Sequence, residues 1–96
     1  MHAAAIRVEL RLSGVRSLKE KRRRLAAISS DLTGRFPVVV NEIDHQDQWQ
    51  RATLGAALVS GQAGQLERVI NTIHRHLLEL QDADLIELGV AYMEES

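Results

Sequence analysis

From Ser17 to Leu25 the chain reads SLKEKRRRL, and five of those nine residues are cationic. Ten of the twelve cations in the chain are arginine, the side chain suited to bidentate contacts with phosphate or carboxylate. Ser17-Leu18-Lys19-Glu20 has the pattern of a capping box, in which the serine hydroxyl takes a free amide and the glutamate reaches back. The cations therefore fall in the first two turns of a helix. The macrodipole is already positive there and disfavours each by a few tenths of a kcal/mol. A sequence that breaks a local preference in this way often does so for function. At about 100 degrees per residue the five ring the helix instead of forming a stripe. Free amides at a helix start, arginines around them, and a glycine that allows close backbone approach describe an anion site. The candidate anion- or RNA-binding residues are Gly14, Arg16, Lys19, Arg23 and Arg24.

Lys21 and Arg22 read as structural. Lys21 falls within roughly 30 degrees of the centre of the apolar stripe, so its stem lies along the core and its head snorkels outward. Glu42 and Asp44 carry the inward parity of the following strand and end near it. The expectation is a Lys21–Glu42 or Arg22–Asp44 pair holding the fold.

The polar connection Asp44-His45-Gln46-Asp47 gives a possible secondary site of His45, Asp47, Trp49 and Arg51. Glu42, Asp44, His45 and Asp47 are all ligand types for a metal, but strand alternation splits them, and loop aspartates bonding backbone amides account for the pattern. No metal is assigned. His45 as a general base needs a nucleophile beside it, and Ser13 and Ser17 have turn and cap duties. No catalytic residue and no cofactor is assigned. Trp49 reads as packing beside the hairpin, with base stacking as the alternative. Arg51 is its polar neighbour, bonded to a loop carboxylate. His74 and His76, two apart on a helix, cannot share a ligand and read as solvent residues.

The elements that must position these groups follow from periodicity. Residues 3–12 alternate, with Ile6, Val8, Leu10 and Leu12 on one face. A helix runs from Leu18 to near Gly34, with Leu18, Leu25, Ile28 and Leu32 inward. Residues 36–43 read as a second strand, edge-placed by Pro37, and residues 49–60 as a third. Leu66, Val69, Ile70, Ile73, Leu77 and Leu80 mark a second amphipathic helix. Residues 84–93 close the chain as a strand with Ile86, Leu88, Val90 and Tyr92 inward. The order βαββαβ predicts an α+β, ferredoxin-like domain over residues 1–96: a four-stranded antiparallel sheet with two helices on one face. That topology brings the turn after strand 1, the start of helix 1, the 44–48 hairpin and the Gln81-Asp82 turn to one end.

Composition bounds the rest. Ninety-six residues with 45% hydrophobic and 26% charged content are ordinary globular values. No apolar run approaches ~18 residues, so no membrane span is expected. There is no cysteine, which excludes disulfides, thiolate metal sites and cysteine nucleophiles. The opening MHAAAIRVEL does not resemble a signal peptide, and the expected location is the cytoplasm. Residues 1–35 hold nine cations against three acids, and residues 36–96 hold three against ten. Such a dipolar chain attracts an anion at one end while staying soluble.

RSLKEKR at 16–22 and NEIDHQDQWQRATLG at 41–55 together resemble the YlxP-like family, small bacterial proteins with a domain of unknown function. The resemblance covers nearly the whole chain and implies a ferredoxin-like fold. It also implies a translation or ribosome setting through neighbouring genes, and it brings no catalytic residues. Gly14-Val15-Arg16 is too short a match to the phosphate loop of acylphosphatases, which share this topology.

Sheet-face RNA recognition in this topology stacks bases on exposed aromatics. The outward positions Arg7, Glu9, Arg11, Thr53, Gly55, Ala57 and Val59 include none. Val39, Ile43, Leu85, Ala91 and Met93 make that face fairly apolar, so it invites a partner, and homodimerisation is the expectation. The leading reading is a cytoplasmic binding module that engages RNA or ribosomal components through the helix 1 collar. The second is a structural homodimer whose charges pair internally. The third is a small phosphate-handling enzyme.

Overall fold

The computed structural model describes residues 1–96. In chain order the elements are β1 (His2–Arg11), α1 (Leu18–Arg35), β2 (Val39–Asp44), β3 (Arg51–Ser60), α2 (Ala63–Leu78) and β4 (Asp84–Glu94). The strands lie in the order β2-β3-β1-β4 and every neighbouring pair is antiparallel. This is the ferredoxin-like α+β fold. No helix is long and apolar enough to cross a membrane.

The core lies between the sheet and the two helices. Ile6, Val8 and Leu10 of β1, Leu54 and Leu58 of β3, Leu25, Ile28 and Leu32 of α1, and Leu66, Ile70, Ile73 and Leu77 of α2 are all 5% exposed or less. Each is a residue whose burial contributes about 1.5–3 kcal/mol. The alternation in β1 and the stripes on α1 and α2 thus give the fold its inward faces.

Three boundaries differ from those the pattern predicts. β2 begins at Val39, not at residue 36, because α1 runs past Gly34 to Arg35. Phe36 then caps it, its amide bonding the Leu32 carbonyl at 2.9 Å, and Pro37 holds Phe36 extended and adds no donor. β3 begins at Arg51, which leaves Trp49 in the turn. α2 stops at Leu78, so Leu80 packs on the core from beyond the helix.

Two bulges shift side chains between faces. Between β1 and β4 the register jumps, so that Glu9 faces Glu87 while Leu10 faces Leu85. Leu85 therefore turns toward the core and Ile86 is left 43% exposed. Strict alternation predicts the reverse. Between β2 and β3 the jump falls between Glu42 and Asp44, so Glu42 faces Leu54 and Asp44 faces Thr53. One extra residue in a strand turns everything after it to the other side.

Candidate functional site

The end of the sheet where α1 starts gathers the candidates. Gly14 turns the chain with φ +75°, a left-handed value that glycine adopts freely. Ser17 is the N-cap, its hydroxyl accepting the Glu20 amide at 3.1 Å. The Glu20 carboxylate reaches back to the amide of Arg16, at 2.8 Å, one residue earlier than a standard capping box. Glu20 is the one acid inside the collar, and this bond occupies it.

Of the basic run, two residues are spent inside the molecule. Lys21 is 1% exposed. Its ammonium lies 3.0 Å from Glu42 Oε2 and donates to the His45 carbonyl. That buried oxygen has no formed hydrogen bond, so the contact is an ion pair by proximity. Arg24 donates Nη1 to the carbonyls of Ser13, at 2.7 Å, and Asp82, at 3.1 Å. It ties the turn after β1 to the turn before β4. The 180 Å³ recess beside it is lined by Asp82 and Asp84 as well, a poor setting for an anion.

The others stand free. Arg16, Lys19, Arg22 and Arg23 are exposed, and none makes an ion pair or a side-chain hydrogen bond. Arg22 does not meet Asp44. The bulge after Glu42 places Asp44 on the open face, with Oδ2 3.6 Å from Arg7 Nη2 and Oδ1 accepting the His45 amide at 2.8 Å. Four unpaired cations around one helix start, against the single carboxylate of Glu20, leave a net positive surface.

The 44–51 segment divides. His45 has φ +60°, and it turns its carbonyl to Lys21 and its ring to the open face, Nε2 3.8 Å from Glu9 Oε2. Arg51 approaches the same oxygen, Nη2 at 3.8 Å, so its partner is a strand carboxylate and not a loop one. Thr53, wholly buried, donates to Glu9 Oε2 at 2.9 Å, and Arg7 Nε holds Oε1 at 3.1 Å. Asp47 is exposed and Trp49 is 49% exposed. No three His, Asp or Glu side chains converge as metal ligands.

Two features escaped the sequence reading. The Glu9 cluster needs the hairpin to fold over the sheet end; the only sequence trace is a threonine on an outward strand position. The second is a clasp between the helices. His76 is not a solvent residue: Nε2 lies 2.5 Å from Asp31 Oδ2, and Phe36 meets its ring edge-on with centroids 5.8 Å apart. Arg35 Nε donates to Asp31 Oδ1 at 2.7 Å. The Arg35 hydrogen bond, then that of His76, holds the Asp31 carboxyl below the usual carboxylate range.

Residues 3–90 match the family model described as "Protein of unknown function (DUF503)". Over 57 residues the chain is 40% identical to the "Uncharacterized protein YlxP" of Bacillus subtilis (strain 168), a stretch covering 59% of this chain and 62% of that relative. The match thus spans less than two thirds of the relative's length.

Proposed function

The chain belongs to the family described as DUF503, proteins of unknown function, and from that premise we propose that it is a cytoplasmic, bacterial binding module for RNA phosphates, working in a ribosomal or translation setting. The observation that carries this reading is the partition of the basic run. Lys21 and Arg24 are used internally, while Arg16, Lys19, Arg22 and Arg23 are exposed and unpaired. Unpaired cations around a helix start repel one another and the dipole, and an incoming phosphate relieves both. The open sheet face lacks aromatics for base stacking, so recognition is of backbone and shape.

The test is fluorescence anisotropy of a labelled structured RNA against salt. Four phosphate contacts give a slope of log K against log salt of about −3. Replacing Arg16, Lys19, Arg22 and Arg23 together by alanine should flatten that slope and leave the melting temperature nearly unchanged, since all four are exposed and none makes an ion pair or a side-chain hydrogen bond. An unchanged slope in that variant, or no binding by the natural chain at low salt, overturns the reading.

A further inference from the structure

The sheet is covered on one face only. On the other face the strand register sets side chains in rows. Val39, Ala57, Ala5 and Ala91 form one row across all four strands. Beyond it Val59, Ala3 and Met93 form a row of three, because β2 has not yet begun. On the other side lies the row Asn41, Gly55, Arg7 and Gly89, with Ile43 folded against Gly55. Val39, Val59 and Met93 are 66%, 64% and 58% exposed. A shallow, mostly apolar groove of about 610 Å³ lies over the row Val39, Ala57, Ala5 and Ala91.

Charge and area narrow the occupant. The far end of this face carries Arg7, Arg11 and Arg51 against Glu9, Asp44, Asp84 and Glu87, so it has no cationic excess for a nucleic acid. The accessible surface is 6073 Å², whereas a compact folded chain of this mass exposes about 5,500 Å². The radius of gyration is 13.6 Å, against about 12.5 Å for a compact domain of this length. Three strands of ten or eleven residues and the six-residue β2 outline a face about 33 Å long and 19 Å wide with one corner missing, roughly 570 Å² before side-chain relief is counted. A stable interface removes about 800 Å² from each partner. Covering this one face accounts for the surplus and reaches the order of a standard interface.

We propose that the occupant is a second copy of this chain, packed sheet to sheet about a two-fold axis that runs along the strands between β3 and β1. That axis exchanges β2 with β4 and β3 with β1. Val39 then meets the partner's Ala91, Val59 meets the partner's Ala3, and Asn41 meets the partner's Gly89. Met93 enters the space that β2 leaves beside Val59 by starting only at Val39. Large faces small in each row, which is the condition for two flat faces to interlock. An axis across the strands would instead press the Arg and Glu rows onto alanines and desolvate them. A single helix, about 10–12 Å wide, would leave part of the flat face bare. Aligned sheets cross at about −30°, so the charged ends diverge and stay hydrated. This inference is independent of the anion reading, because it uses the opposite face of the molecule.

The experiment is light scattering on gel-filtered protein across micromolar to hundred-micromolar concentration, with circular dichroism to confirm folding. The natural chain should show twice its 10.7 kDa mass. Ala5→Glu, at the exposed centre of the face, should show the single-chain mass with its fold intact. Val39→Ala should weaken association roughly tenfold, and adding Ala91→Val should restore it. A natural chain that stays at single mass throughout, or an Ala5→Glu chain that stays double, overturns the dimer. Failure of the Val39→Ala, Ala91→Val exchange to restore association overturns the axis.

Discussion

Lys21→Met isolates the single most buried charge in the molecule. Methionine keeps most of the stem volume, so the core contacts of Lys21 survive and only the ammonium goes. Two groups then lose their partner: Glu42 Oε2, 3.0 Å from the ammonium, and the His45 carbonyl. Removing one member of a fully buried pair costs about 3–5 kcal/mol, because the other charge is left uncompensated. The Glu42 side chain keeps 23% of its exposure, so water screens part of that, and the expected loss is about 2–3 kcal/mol. For a chain of this length that lowers the melting temperature by about 10–20 °C. Urea denaturation of Lys21→Met and of Lys21→Met with Glu42→Met separates the terms. The double variant removes both charges and should return much of the stability, since a matched apolar pair is often as stable as the ion pair it replaces. A single variant within about 0.5 kcal/mol of the natural chain would refute the argument that this charge pins the 44–48 hairpin to α1.

Arg24→Ala should cost about 1–2 kcal/mol in a urea melt, because both of its carbonyl bonds lie at the surface, while Arg23→Ala should cost almost nothing; equal values for the two would sink the division of the collar into bonded and free arginines. Asp31 gives an acid limb. Its folded pKa is lowered, so its stabilising contribution is fully present above the ordinary carboxylate value, about 3.9, and is lost as pH falls through the lowered folded value. Melting temperature followed from pH 6 to pH 2 should drop less steeply at the acid end in Asp31→Asn, and parallel curves would remove the clasp from the account.

Period-two alternation in β1 and the stripes of α1 and α2 name their inward residues directly, because those elements are regular and face one core. The cap at Ser17 was readable from SLKE, and the proximity of Lys21 to Glu42 from helical angle and strand parity. Asp44 and Leu85 were not readable, because each lies at a bulge. A bulge is set by how two strands must twist to stay paired, which no local pattern encodes. Arg24 shows the same limit at the site. Its spacing in the basic run is like that of Arg23, and only the arrival of the 81–82 turn, 58 residues away in the chain, gives it carbonyls to hold.

The order of elements, the apolar faces and the excess of positive charge at the start of α1 were therefore fixed by residue type and spacing, since these properties depend on near neighbours along the chain. Which of those charges stay free, where His45 and His76 point, and which rows of small side chains lie level across four strands were decided by tertiary structure. Those outcomes depend on register and on contacts between segments far apart in sequence, and the chain acquires them only when the sheet closes.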